Sequence, residues 1–428
     1  MVAVKSQSGL LEKIIEIENP PIFKWEEVFS TIKKFLPKNS YLIKLNLIKT
    51  SKTKLFFHVV LTHNFSGFLG NPFEAVLNKK ISSDKASCLI VPTGIGASIG
   101  GYAGDANVLA KIFSHLSEYL IVNPNVVNGA VLSDLPSNAI YLEGFYMDQF
   151  LLGNVNLIPN NKNKIGVVFD KTISEERLEY EVNVLNALKV FYGCDICGWT
   201  VTEKPLNIIP SVNDFGFSSG NIENLEYLLE SALKLKDIGA TSIAICSLIP
   251  DLDLNPEYVL GKGLDPIGGI ESIISRLVSA GTGLVSAHAP VLISNEKIDY
   301  KIISPLSAAE YIAPTFLPSV ISGLRFAPQI RDQKSEIRDQ RIGSRNIENI
   351  IVPYNAFGSP GVFYSNEIFN NVVLVKENVT CLEVNPVDIK IKFNVVDSYK
   401  DLIGEDKLNE LGIDIERLKR PVVKIGKI

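Results

Sequence analysis

The rhythm of apolar and polar positions changes near residue 86. Before it, EEVFSTIKKFL has the three-to-four-residue spacing of an amphipathic helix, and SYLIKLNLIKT and KLFFHVVLTHN read as neighbouring strands joined by the polar turn TSKTK. After it, the short apolar runs CLIVP, YLIVN, AIYLEG, KIGVVFD, GWTVTE, TSIAICSLI, NIIVPYNAF and VVLVKEN punctuate helical stretches such as ISEERLEYEVNVLNALKVF and NIENLEYLLESALKLKDIG. Continuous apolar strands fed by helices of that length favour parallel crossover units buried on both faces. The pattern predicts an α/β chain: a Rossmann-like, mostly parallel sheet with helices on both faces over residues 86–428, behind a small α+β lobe over 1–85. The larger part has room for two lobes, about 86–205 and 206–428.

One stretch breaks the pattern. Residues 330–346, IRDQKSEIRDQRIGSRN, repeat IRDQ at a seven-residue interval but offer one Ile per seven, too few for a helical seam. The expectation there is a charged, solvated and disordered insertion.

Composition narrows the function more than the fold. With 46% apolar and 21% charged residues the 428-residue chain is ordinarily globular, and a net charge of -5 without a basic stripe speaks against nucleic acid as a partner. No apolar run nears the roughly 20 residues that span a bilayer, and the first residues lack the pattern of a cleaved leader. The expectation is a soluble cytoplasmic protein with no membrane partner, free to form homo-oligomers. Five cysteines, odd and sparse, read as reduced thiols. Cys194 and Cys197 form a CxxC without the second pair or nearby histidines that zinc would need, so no metal site is expected. Cys246, closing an apolar strand, is a minor thiol candidate.

Candidate chemistry gathers where strands end. PTGIGASIGGYAGDAN, residues 92–107, follows CLIV and leads into a helix, a place where glycine lets backbone N–H groups approach an anion. Its GxGxxxG spacing is one residue longer than the dinucleotide fingerprint, and GxxxxGK[ST] and HExxH are absent, so the motifs name no cofactor. Thr93, Gly94, Gly96, Gly100 and Gly101 are the binding candidates of this loop. The rival reading of its glycines is close helix-on-strand packing. Asp105 reads either as a helix cap or as a functional carboxylate. Asn125, Asn128, Glu143 and Asp148 follow the next two strands. Farther on, Asp265 and Glu271 flank a helix start, His288 lies among small residues in SAHAP, Gly358 and Ser359 open another loop, and Glu377 and Asn378 end a strand.

These blocks in this order, VPTGIGASIGGYAGDAN, PNVVNGA, YLEGFYMDQF, GLDPIGGIESIISRLV, AHAP and VKENVT, resemble an uncharacterised cyanobacterial family catalogued as domain of unknown function 3326. The resemblance spans roughly residues 88–420 and takes in the binding and catalytic candidates above except Gly358 and Ser359; the CxxC and the IRDQ repeat depart from it. It implies a cyanobacterial cytoplasm and carries no reaction.

Two readings follow. The first is an enzyme acting on a small phosphate- or carboxylate-bearing metabolite, with His288 and one of Asp105, Glu143 or Glu271 as acid and base. The alternative is a non-catalytic nucleotide or metabolite sensor; a structural role, with the loops packed shut, is the remainder.

Overall fold

The computed structural model describes residues 9–63, 73–77, 82–129, 134–250, 258–291, 304–312, 316–332 and 341–425. The first part of the chain builds a three-stranded antiparallel sheet, order β1-β3-β2, from β1 (Leu10–Glu18), β2 (Ser40–Thr50) and β3 (Lys54–His63). Helix α1 (Trp25–Lys33) buries Trp25, Val28, Phe29 and Ile32, the helical spacing read from the sequence. β1 was not anticipated, although LLEKIIEIE alternates buried Ile15 and Ile17 with exposed Ile14, Glu16 and Glu18.

A six-stranded parallel sheet follows, assembled from two separated pieces of chain. One piece gives β4 (Ala86–Leu89), helix α2 (Asn107–Phe113), β5 (Tyr119–Val122) and β6 (Ala139–Tyr141), followed by helix α3 (Gly144–Leu151). Between the pieces run β7 (Val155–Ile158) and a second, four-stranded parallel sheet. That sheet has the order β13-β12-β8-β9: β8 (Lys164–Phe169), β9 (Asp195–Val201), β12 (Ser242–Leu248) and β13 (Val285–Val291). The hairpin β10 (Ile209–Val212) and β11 (Ser218–Asn221) leaves it, and β14 (Gln329–Asp332) pairs antiparallel with β7. The other piece returns with β15 (Ile347–Pro353), β16 (Val372–Val375) and β17 (Asn394–Val396), giving the order β17-β16-β15-β4-β5-β6.

In the four-stranded sheet, α4 (Glu175–Tyr192) packs with α8 (Phe316–Leu324), while α5 (Leu225–Asp237) packs with α6 (Gly268–Thr282). Crossovers run outward through α4 to β9 and back through α5 to β12, so right-handed connections put the two helix pairs on opposite faces. The α/β class holds. At about residue 205, where a lobe boundary is possible from the sequence, one sheet continues across: β8 pairs with β12, and β9 with β8.

The charged stretch is also more ordered at its ends than its composition predicts. Ile330, Arg331 and Asp332 extend β14, Ile342 is 1% exposed and bridges Leu157, and Ser344 and Asn346 are buried. The central residues 333–340 lie outside the described residues. Single isoleucines at each end, invisible to a heptad count, hold the flanks.

Candidate functional site

In the six-stranded sheet the chain winds outward from β4 toward β6 and, separately, from β15 toward β17. The loops leaving β4 and β15 therefore diverge, and they leave the crevice in which parallel sheets take ligands. A cavity of about 640 Å³ opens there. Its walls include Pro92 and Thr93 after β4, Asn123 and Asn125 after β5, Glu143 and Gly144 after β6, and Ala356 and Ser359 after β15. The other sheet closes it with Glu271, Ser275 and Arg276 of α6 and His288 of β13.

The acidic end centres on His288. Its Nδ1 lies 3.0 Å from Glu271 Oε1 and its Nε2 lies 2.6 Å from Ser247 Oγ. Burial pushes the Glu271 carboxyl up to about 8 and the imidazole down to about 3. Both groups are then neutral near pH 7, and the imidazole tautomer sets which partner donates in each contact. A serine, histidine and carboxylate in line resemble a nucleophilic triad, but Ser247 is fully buried and off the cavity wall, whereas Glu271 is on it. The order is thus inverted, with the carboxyl facing the space and the hydroxyl holding the ring from behind. Glu310 and Asp265 share this end. Glu310 accepts from the Ala103 N–H and the Tyr258 hydroxyl, and burial, with repulsion from Asp265, lifts it to about 7.

The opposite end is cationic. Arg276 sends Nη1 and Nη2 to Asp148 Oδ2, both at 3.0 Å, and Asp148 also accepts from the Gly361 N–H, tying α6 to α3 and to α9 (Pro360–Phe369). A Cβ on Gly144 would sit 2.6 Å from Nη2, so glycine there makes room for the guanidinium. Glu143 caps α3 by accepting from Phe145 and Tyr146 N–H, and burial pushes it to about 7 against the pull of Arg276. Lys44 reaches this wall from β2.

Of the residues singled out from sequence, Thr93, Gly101, Asn125, Asn128, Glu143, Asp265, Glu271, His288 and Ser359 line the cavity. Gly94, Gly96, Gly100, Asp105, Gly358, Glu377 and Asn378 do not. Gly94 has φ +75° and a Cβ on it would lie 2.3 Å from Ser218 Oγ; Gly100 packs on Val91 and Gly358 on Leu47. Asp105 does not cap α2; it pairs with Arg420 at 2.7 Å. Asn378 fixes the glycine loop, with Oδ1 accepting from the Ile99 N–H and Nδ2 donating to the Ile99 carbonyl. Glu377 accepts from the Tyr399 N–H. Asn125 donates to the Gly100 carbonyl from the cavity side, so even this lining residue holds the loop. All five cysteines are free, and burial pushes the Cys246 thiol well up, away from reactivity. Lys44, Arg276, Glu310 and Ser247 were not read from sequence.

The chain belongs to the family described as Protein of unknown function (DUF3326), whose model matches residues 86–419. It is 34% identical, over 77% of its own length and 91% of the relative's, to a Synechococcus protein named as an uncharacterized lipoprotein. No solved structure matches. Among the described residues no helix is long and apolar enough to cross a membrane.

Proposed function

We propose that this protein is an enzyme acting on a small anionic metabolite by acid–base chemistry at Glu271 and His288. The observation that carries the reading is the hydrogen-bonded pair on the cavity wall, a carboxyl held protonated near neutral pH against a neutral imidazole. Titratable groups displaced this far by burial and facing a cavity are what acid–base catalysis needs. A sensor could manage with amide and backbone contacts, so the pair favours catalysis over the non-catalytic reading.

The anion is better served by the Arg276 guanidinium on the cavity wall than by glycine-loop backbone. Two N–H groups of that loop, Ile99 and Ala103, are already given to Asn378 and Glu310. Glu271 and Arg276 stand five residues apart on α6, about 7.5 Å along its axis, a span suited to a metabolite held at one end and reacting at the other. The cytoplasm remains our proposed location, supported by five free thiols; the word lipoprotein belongs to the Synechococcus relative.

The test is a thermal-shift panel of phosphorylated metabolites, carboxylates and nucleotides, followed by turnover of each stabilising compound. E271Q and H288Q should keep the stabilisation and lose turnover by 10²-fold or more. Full turnover in both variants would overturn the reading.

A further inference from the structure

Lys44 is set unlike the other lysines of the site's surroundings. It lies in the middle of β2 between the buried Ile43 and Leu45, is 7% exposed, and lines the cavity. Among the described residues its ammonium makes no hydrogen bond and no ion pair, whereas the neighbouring Arg276 is tied to Asp148. A buried ammonium with no structural partner has no role in holding the fold and a cost in desolvation. Its charge is opposed from within the site: burial and the Arg276 guanidinium lower it to about 8, against the pull of Glu12 and Asp148. An amine that gives up its proton easily beside a fixed cation is the setting of carbonyl-trapping lysines.

We propose that Lys44 is a nucleophilic amine that forms a Schiff base with an aldehyde or ketone carbonyl of the ligand. The neutral amine attacks the carbonyl carbon, forming the C–N bond as the oxygen takes up a proton. The carbinolamine then loses that oxygen as water, and an iminium remains. Glu143, which lines the same cavity and is pushed up to about 7, is a carboxyl of the right acidity to give and take the proton. The iminium would then draw electrons from the adjacent carbon and weaken the C–H bond there. This deepens the enzymatic reading above but is tested apart from it. It also gives the N-terminal sheet, which precedes the family match at residue 86, a chemical part in the site.

The experiment treats the full chain with glyoxylate and sodium cyanoborohydride, whose hydride reduces the iminium to a stable carboxymethyl amine, and maps the adducts by peptide mass. At pH 7 Lys44 should be modified at least tenfold faster than the exposed Lys52 and Lys171, with a rate that rises through pH 8. E271Q and H288Q should label normally, so loss of their turnover and loss of labelling are separate failures. Labelling of Lys44 at or below the rate of Lys52 in the wild-type chain would overturn the proposal.

Discussion

Glu271 Oε1 and His288 Nδ1 lie 3.0 Å apart, joining the first turn of α6 to the middle of β13. Burial has opposite consequences for the two partners and gives stability a definite pH dependence. Glu271 rises from 4.5 to about 8, so between those values the folded chain binds more protons than the unfolded one, and stability falls as pH rises. His288 falls from 6.5 to about 3, so there the unfolded chain binds more, and stability falls as pH drops below 6.5. E271Q should flatten the alkaline limb, and H288Q the acid limb. Urea midpoints from pH 4 to 9 measure both. Glu143 and Glu310, each about 7, act in the same sense as Glu271, so its slope should shrink without vanishing.

Arg276 and Asp148 make a second, purely structural expectation. Asp148 is 1% exposed, and R276M would leave its carboxylate without the guanidinium. Breaking a buried pair from one side typically costs about 3–5 kcal/mol. Adding D148N to R276M should recover much of that loss, because the stranded charge goes. A double variant no more stable than R276M would mean that the arginine acts through packing against Gly144 rather than charge.

The glycine loop tests packing against conformation. Gly94 and Gly193 both have positive φ, +75° and +61°, but an added Cβ meets Ser218 Oγ and the Gly269 backbone at the first and nothing within 4 Å at the second. G193A should cost about 1 kcal/mol for its backbone alone. G94A carries the same backbone penalty plus the clash and should cost at least twice as much, by thermal or chemical denaturation without any ligand. Equal costs would return Gly94 to the ligand-binding reading.

The strands after residue 86 were legible because each is a short apolar run bounded by turn residues, and both the parallel class and the strand-end cluster followed from them. What the pattern did not carry was which strands share a sheet. β4 lies beside β15, more than 250 residues on, and hydropathy is the same whichever neighbour a buried strand takes. Lys44 was missed for a related reason. In SYLIKLNLIKT, Lys44 and Asn46 alternate with apolar residues, which marks a polar face but not whether water or a cavity lies in front of it. Asn378 reads as a ligand group, and Asp105 as a cap or a functional carboxylate, because asparagine and aspartate at strand ends and loops serve ligands and backbone amides alike. Distinguishing the two takes the partner, and Asp105's partner lies 315 residues away.

That partner, Arg420, fixes the last expectation. It donates Nη2–H to Asp105 Oδ2 at 2.7 Å and Nε–H to the Ser98 carbonyl at 3.0 Å, so the end of the described chain straps the glycine loop at two points. Burial pushes Asp105 up to about 7, and Arg420 is the chief group opposing that rise. R420A should therefore push Asp105 higher still, leave a neutral acid at physiological pH, and release both ties. Amide hydrogen exchange over residues 98–106 should speed up several-fold while exchange in β8 and β12 stays as it was. The wild-type loop should itself loosen as pH falls through 7, when Asp105 takes a proton and the pair weakens; D105N should show the loosened loop at every pH. Exchange in the loop that is equal in wild type and R420A would mean that Asn125, Asn378 and Glu310 hold it without the arginine.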